Sequence, residues 1–451
     1  MGKTAEILKI GVPIMLGQAC VVILSFADNI MIGWYGVNDL AASSFVNGLV
    51  NLFIFMELGF VCGMTPVIGA RFGTNDVTGI GKTLKDSIML NGITGIAGLV
   101  AMGVIYLFLD RFGQEPELLP LIRPYYITVA VSTLFAMGFN TLKQFTDGIC
   151  QPVVSMILLM GGNILNIIGN WILIYGKAGF PELGLLGAGL STLFARIVMF
   201  AVFLLYIMKA RRFRKYAAAF RSASVSLAGM RKLFGLGYPL ALQMGMETST
   251  FTISAVMVGW IGATALAAHQ VTLTISQICF MLMTGLASAV SILVSNAYGR
   301  KDYKGVRQYA SKGYFMTLGV SALFCAMIFL FRESIVGMFT DSEAVTATVM
   351  SLLVVLFSYQ FGDGLQLCFC NALRGIQDVR PIMLMAFISY YLIAIPAAYI
   401  LGFKAGLGAV GIWTGFPVGL TVAGIFYFIR FRMRLAKLES GIRHLPLREN
   451  A

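Results

Sequence analysis

The chain has 451 residues, of which 58% are hydrophobic and only 12% are charged, and its mean hydropathy is +0.84. A chain with so few polar residues cannot cover an apolar core with a polar shell, which excludes a soluble globular protein and predicts one that folds in lipid. The net charge of +13 does not require a nucleic-acid partner, because the basic residues fall almost entirely on one side of the predicted membrane topology.

Twelve apolar runs follow one another along the chain, each long enough to cross roughly 30 Å of hydrocarbon as a helix. Long continuous runs do not show the strict alternation of membrane β-strands, so we predict an all-α integral membrane protein with twelve transmembrane helices. The runs cover residues 9–33, 43–70, 84–109, 119–146, 153–176, 186–209, 233–259, 270–297, 313–332, 347–372, 381–403 and 409–430.

Lysine and arginine are concentrated in every second connection, and basic connections tend to stay in the cytoplasm. This predicts a multi-pass protein of the cell inner membrane with cytoplasmic N- and C-termini, whose basic loops contact anionic lipids. The outer connections hold only Arg111, Arg123, Lys177, Arg332 and Lys404, whereas the block around the midpoint alone contains Lys209, Arg211, Arg212, Arg214, Lys215, Arg221, Arg231 and Lys232.

An internal repeat relates the two halves of the chain at an offset of 226 residues, without a gap from 11–79 to 237–305. Six helices per half is an even number, so two parallel six-helix lobes should be related by a pseudo-two-fold axis along the membrane normal. We predict an N-lobe at 1–208, a basic cytoplasmic linker at 209–232, a C-lobe at 233–435 and a cytoplasmic tail at 436–451.

Few ionisable residues lie inside the predicted helices. An acid at the centre of a membrane helix costs roughly 2.5 to 3.5 kcal/mol on translocon scales, so such residues are candidates for function. At the equivalent positions of the other half, Asp28, Glu57 and Glu247 correspond to Ser254, Met283 and Val21. The acids are therefore not part of what the two halves share. Away from the ends of the runs the acids are Asp28, Glu57, Glu247 and Asp363, and the basic residues named with them are Arg196 and Lys143.

Polar residues at helical spacing accompany the acids, which predicts that these helix faces line a cavity. The alternative is a structural polar network between helices, and this is the favoured interpretation for Glu57. Arg196 is expected either to be the partner of a buried acid or to extend to the membrane surface from a helix end, rather than to bind substrate. His269, in a short outer turn, is expected to be structural. The polar series are Gln243, Glu247, Thr250 and Ser254; Tyr359, Asp363 and Gln366; Gln18, Ser25 and Asp28; and Asn163, Asn166 and Asn170.

Several of these segments resemble the multidrug and toxic compound extrusion (MATE) family, and specifically its NorM-like branch, over essentially the whole chain. The resemblance implies export of cationic drugs or dyes, a cation site at Glu247, Asp363 and Tyr359, and an ion-responsive Asp28 near two asparagines. The segments that carry it are FADNIMIG around Asp28, NILNIIGNWILIYG with Asn166 and Asn170, Glu247 itself, LAAHQ at 266–270, Tyr359 and Asp363, and LRG at 373–375.

Two residues depart from the family pattern. The DinF-like branch tends to have an acid where Asn170 stands, so a proton site of that kind would lack one carboxylate here. Glu57 does not belong to the pattern, and its role and that of Arg196 are left open.

The predicted function is a secondary active multidrug efflux antiporter that exports amphipathic organic cations in exchange for Na+ or H+ by alternating access. The coupling ion would neutralise the acids and displace the drug. Glu247, Asp363 and the Tyr359 hydroxyl would supply oxygen ligands for Na+, supported by Gln243 and Thr250. Apart from this ion we expect no cofactor.

Three other functions fit the sequence less well: a flippase, a gated channel and an enzyme. A lipid-linked oligosaccharide flippase could share the fold, but its cavity should be cationic rather than acidic, and a gated channel suits a two-lobe chain with buried acids less well. An enzyme is not expected, because the chain has two histidines and no nucleophile or metal motif. The expected partners are small organic cations and membrane lipids, and the chain is expected to act as a monomer.

Overall fold

The computed structural model describes residues 2–340 and 342–443. Within these ranges the regular structure is entirely helical, which confirms the predicted all-α class. Only the first part of the predicted tail at 436–451 falls inside the described residues, where it continues the last helix.

Long helices make up the first half of the chain, and a short amphipathic helix ends it. The helices are α1 (Lys3–Tyr35), α2 (Val37–Cys62), α3 (Thr65–Gly73), α4 (Val77–Leu107), α5 (Leu119–Gly148), α6 (Pro152–Ile174), α7 (Gly184–Lys209) and α8 (Arg214–Ser222). The predicted run at 43–70 is divided between α2 and α3, and α8 lies in the predicted linker.

The second half repeats this arrangement with longer helices. They are α9 (Leu227–Gly259), α10 (Ala263–Gly299), α11 (Tyr303–Gly337), α12 (Glu343–Gly375), α13 (Arg380–Phe387), α14 (Ile395–Tyr399) and α15 (Gly408–Arg443). Two π-helical segments, Ile388–Ala394 and Ile400–Lys404, make α13 and α14 parts of one continuous helical span.

Eleven spans among the described residues are long and apolar enough to cross a membrane, with α2 and α3 forming one span and Arg380–Lys404 another. The remaining long helix, α9, has 33 residues but carries the polar series that includes Glu247 and Thr250. It occupies the position in the repeat that α1 occupies in the first half. With α9, the twelve predicted helices are accounted for.

Most helices extend past the apolar runs from which they were predicted, because a helix can continue into polar residues at the membrane surface. The prediction that His269 lies in an outer turn was wrong for this reason. The α10 helix begins at Ala263, directly after Gly262, whose φ of 146° only glycine adopts readily. His269 therefore lies in the second turn of a helix.

The chain divides into two compact units whose limits fall inside α1 and α9. We call residues 16–245 the N-unit, and the described residues before 16 and after 245 the C-unit. These limits differ from the lobe limits predicted from the basic linker. The start of α1 packs in the C-unit and the start of α9 packs in the N-unit, so each unit includes part of a helix from the other half of the sequence.

Glycine contacts explain this division, and they follow the sequence repeat. In the N-unit, a Cβ atom at Gly59 of α2 would lie 2.6 Å from the carbonyl oxygen of Leu240 and 2.9 Å from the Cα of Ala241. In the C-unit, a Cβ atom at Gly285 of α10 would lie 2.8 Å from the backbone of Met15. Gly59 and Gly285 are repeat equivalents, as are Met15 and Ala241, so the same close contact occurs once in each unit.

The contact at Gly59 predicts a position-specific loss of stability. In Gly59→Ala the new methyl group meets backbone atoms of α9, which should lower the free energy of unfolding by about 1 to 3 kcal/mol. Gly48 lies in the same helix with no atom within 4 Å of its Cβ position, so Gly48→Ala should be neutral or stabilising by up to about 1 kcal/mol. Thermal unfolding of both variants in detergent tests this. Equal melting temperatures would contradict the proposed contact.

Candidate functional site

The N-unit contains a polar cluster around Asp28, a half-buried residue of α1. The Nδ2 atom of Asn170, on α6, donates to the Asp28 carboxylate at 2.6 Å. Asn166 lies one turn earlier, and with its amide oriented to satisfy both neighbours it donates to Asp28 at 2.9 Å and accepts from the Thr192 hydroxyl at 3.1 Å. The three residues predicted to lie together are therefore in contact, and Thr192 is an addition.

Arg196, on α7, lies beside the same cluster. Its guanidinium donates to the Ser132 hydroxyl of α5 at 2.7 Å, and it interacts electrostatically with Asp28, Glu57 and the Tyr125 hydroxyl. Arg196 was expected to accompany a buried acid, and the structure puts it near two. Pairing between different helices leaves no local sequence pattern, so the two acids near Arg196 could not be identified from the sequence.

A second cluster lies in the C-unit around Asp363 of α12, whose side chain is 1% exposed. Neither carboxylate oxygen accepts a hydrogen bond from any described residue. Its electrostatic neighbours are Glu247 and Tyr359, so the three residues of the predicted cation site do lie near one another. Neither neighbour is a cation.

Neutral hydroxyl and amide groups surround these acids. Tyr359 is hydrogen-bonded to Ser276 of α10, which also accepts from Gln360 at 3.3 Å. Gln366 donates to the Tyr390 hydroxyl at 2.9 Å, and Tyr390 interacts electrostatically with Glu247. Ser276 and Tyr390 were not predicted, because single hydroxyl residues in apolar helices carry no distinctive spacing.

The two supporting residues predicted on α9 differ in their surroundings. Thr250 is buried, and its hydroxyl donates to the Met246 carbonyl of its own helix at 2.8 Å. Gln243 is also buried, but it belongs to the part of α9 that packs in the N-unit. Thr250 is therefore near Glu247 in the C-unit, whereas Gln243 is grouped with the other unit.

A small cavity in the C-unit is lined by Glu247, Thr250, Phe251, Tyr390, Ala394, Phe416 and Leu420. It has room for about one water-sized sphere. Among the described residues no group of three or more His, Cys, Asp or Glu side chains is arranged to hold a metal ion. Any inorganic cation here would rely on hydroxyl, amide or backbone oxygens as well as carboxylates.

His269 joins an aromatic wall next to Tyr359. Its Nδ1 accepts a hydrogen bond from the indole Nε1 of Trp413 at 2.9 Å, and the side chain is fully buried. Trp413 and Phe416 both pack against the Tyr359 ring, with centroids 6.4 and 6.2 Å away. His269 thus fixes the indole that supports Tyr359.

The sequence profile of the MatE family matches residues 13–172 and 239–400. The chain therefore belongs to the MatE family. The predicted membership is confirmed, and MatE proteins are membrane transporters rather than enzymes. The two matches begin at Pro13 and Pro239, which are equivalent positions of the internal repeat.

Curated relatives of this MatE protein cover nearly its whole length. It is 30% identical to a probable multidrug resistance protein NorM of Xanthomonas axonopodis pv. citri, over 96% of this chain and 94% of that one. It is also 30% identical to the multidrug resistance protein NorM of Vibrio cholerae, over 94% of each chain.

Solved structures show the same fold. A crystal structure of MATE in complex with MaL6 superposes with a TM-score of 0.89 at 21% identity, over 97% of both chains. A transporter of the MOP superfamily from Pyrococcus furiosus, described as having a binding pocket of reversed polarity that suggests a different function, gives a TM-score of 0.87 at 20% identity over 97% of both chains.

Loss of the Asn170 amide should destabilise the N-unit through Asp28. A hydrogen bond to a charged group contributes about 1.5 to 3 kcal/mol, so Asn170→Ala should lower stability by that amount, and by less in an Asp28→Asn background. Asn163→Ala is the control, because Asn163 on the same helix donates to the neutral carbonyl of Cys20 at 2.8 Å. Thermal unfolding of the double-mutant cycle measures the coupling. Additive losses at Asn170 and Asp28 would contradict the interaction.

The His269–Trp413 hydrogen bond gives a second testable pair. His269→Leu should cost about 1 to 3 kcal/mol, since the buried indole N–H would lose its acceptor. In a Trp413→Phe background the same substitution should cost less, because no donor is left without a partner. Thermal unfolding of the four proteins measures this difference. Equal costs in both backgrounds would show that the bond contributes nothing to stability.

Proposed function

We propose that this protein exports amphipathic organic cations from the cell in exchange for Na+ or H+, by alternating access. The observation that carries the proposal is the environment of Asp363, a carboxyl group that is almost fully buried and has no hydrogen-bond donor among the described residues. A carboxylate in such surroundings is stable only when a cation or a proton neutralises it.

A second carboxyl group, that of Glu247, increases the need for a neutralising cation or proton at Asp363. Glu247 interacts electrostatically with Asp363, and two carboxylates that share one apolar site cannot both remain charged without compensation. Binding of one cation or proton therefore changes the energy of the whole cluster. This gives the exchange a physical basis, because an ion and a cationic drug would compete for the same negative charge.

The C-unit acids are suited to a small coupling ion. The cavity beside Glu247 has room for about one water-sized sphere, which is enough for Na+ or for a water molecule that carries the proton. Oxygen ligands of the kind that Na+ prefers are near, from Glu247, Asp363 and the Tyr359 hydroxyl. We favour Na+ over H+ because these oxygen ligands are of the kind that a hard cation prefers.

A lipid-linked oligosaccharide flippase is the alternative function, and the fold does not discriminate against it. The Pyrococcus furiosus transporter has a similar fold although its pocket is described as having reversed polarity. Acidic rather than basic residues in the C-unit cluster favour a cationic substrate over a pyrophosphate. We further propose an inner-membrane location, cytoplasmic termini and a monomer that needs no cofactor besides its coupling ion.

Substitution of the C-unit acids tests the proposal. In inside-out vesicles, wild-type protein should accumulate ethidium when a Na+ or pH gradient is imposed, and the two gradients applied separately identify the ion. Glu247→Gln and Asp363→Asn should each reduce gradient-driven transport by about tenfold or more, equivalent to roughly 1.4 kcal/mol of coupling. Both variants keep the shape of the side chain and remove its charge.

Glu343→Gln is the matched control, since Glu343 is an exposed acid in the first turn of the same helix as Asp363. It should transport ethidium as the wild type does. Full transport with unchanged ion dependence in the Asp363→Asn protein would overturn the competition mechanism. Absence of dye transport by the wild type under every gradient would favour the flippase.

A further inference from the structure

The linker between the two halves of the sequence is folded onto the N-unit. Phe213 and Tyr216 are buried, and both pack against the ring of Phe145 on α5, with centroids 6.2 and 5.8 Å from it. Gly81 of α4 faces α8, and a Cβ at Gly81 would lie 2.6 Å from the backbone of Ala219. Aromatic packing on one helix and close backbone contact with another therefore set the position of α8.

Two hydrogen bonds to α4 hold the segment that follows α8. The Nζ atom of Lys85 donates to the Ala223 carbonyl at 2.6 Å. The buried carboxylate of Asp86 accepts from the backbone N–H of Ser226 at 2.8 Å. The linker is thus attached to the N-unit along its length, and the side chains on its outer face are presented from a fixed backbone.

The outer face of the linker carries a concentration of positive charge, which we call the basic platform. It consists of the exposed residues Arg211, Arg212, Arg214, Lys215 and Arg221. The nearest acids along the chain are Glu182 and Glu247, and no platform residue forms an ion pair within the described ranges. Basic residues elsewhere do, such as Arg307 with Glu439 at 2.7 Å. Like charges this close repel one another, so the platform favours negative partners from outside the protein.

Apolar side chains are exposed directly beside the platform. Val202 and Leu205, in the last turns of α7, are 43% and 54% exposed, and Leu227 at the start of α9 is 80% exposed. The α7 helix is apolar enough to cross a membrane and ends at Lys209, just before the platform begins. A ligand that matches both surfaces has apolar chains and a negative headgroup. This combination describes a phospholipid rather than a soluble anion.

We propose that the basic platform binds the headgroups of anionic phospholipids, whose acyl chains lie against the exposed apolar side chains of α7. The sequence alone predicts only that basic loops contact such lipids. The structure adds an ordered surface with named residues, held on the N-unit by α4 and α5. The interaction does not depend on which molecule is transported, so it goes beyond the proposed export. Phosphatidylcholine carries no net charge and should bind the platform weakly.

Lipid binding to the full-length protein in a neutral detergent tests the charge requirement. Native mass spectrometry during titration should show about tenfold tighter binding of phosphatidylglycerol than of phosphatidylcholine. Arg211→Gln/Arg212→Gln should weaken phosphatidylglycerol binding by about tenfold and leave phosphatidylcholine unchanged. Arg211→Lys/Arg212→Lys keeps the charge and should keep the affinity. Arg111→Gln/Arg332→Gln is the matched control, because it removes two exposed arginines outside the linker and should bind as the wild type does.

A second variant tests whether the fixed position of α8 matters. Gly81→Ala changes no charge, but its methyl group meets the backbone of Ala219 and should displace α8. We expect phosphatidylglycerol binding to fall by about threefold. Gly92→Ala is the control on the same helix, since no atom lies within 4 Å of its Cβ position. Melting temperatures of all variants show whether each protein is folded.

Three results would overturn the proposal. The first is wild-type affinity in Arg211→Gln/Arg212→Gln, or an equal loss in the control pair Arg111→Gln/Arg332→Gln. The second is unchanged binding in Gly81→Ala, which would show that the ordered surface is not required. The third is displacement of phosphatidylglycerol by millimolar inorganic phosphate, which would indicate a site for small anions instead of lipid. Absence of ethidium transport would refute the proposed export and leave these binding results unaffected.

Discussion

The constraint on which the rest of this structure depends is the free-energy cost of a buried charge that has neither water nor a partner to compensate it. At Asp28 in the N-unit this cost is reduced internally, because the carboxylate accepts from asparagine amides and lies near Arg196. At Asp363 in the C-unit it is not, because Asp363 has no donor among the described residues and a second acid as its neighbour. The two acidic sites of this MatE protein are therefore physically different. Asp28 has hydrogen-bond donors and an arginine close to its carboxylate, whereas Asp363 has no hydrogen-bond donor among the described residues.

Duplication built the scaffold on which these sites diverged. The contact at Gly59 in the N-unit has its equivalent at Gly285 in the C-unit, where backbones approach too closely for any side chain and lipid offers no hydrophobic drive for packing. The charges are not duplicated in this way. The repeat equivalent of Glu57 is Met283, whose buried sulfur accepts from Ser321. Close backbone contact requires glycine at the equivalent positions of both halves, whereas no such contact requires an acid at the same position in each half.

Proteins that share this fold do not all have the same function. Transporters with the same backbone arrangement include one described as having a pocket of opposite polarity, so the helices by themselves say little about the transported molecule. Information about the transported molecule lies in side chains rather than in the backbone arrangement. The hydrogen bond between His269 and Trp413 adds rigidity to the aromatic wall beside Tyr359.

The sequence by itself determined the helices, the duplication, the family and the presence of acids within the apolar spans, because apolar length and isolated charges are local properties of a chain in lipid. Contacts between helices needed the tertiary structure. It alone put Glu57 and Asp28 beside Arg196, grouped Gln243 with the N-unit, and extended α10 to include His269. Proximity across helices depends on packing angles and rotamers that leave no periodic signal, and helix ends depend on backbone geometry such as that of Gly262, to which hydropathy is insensitive.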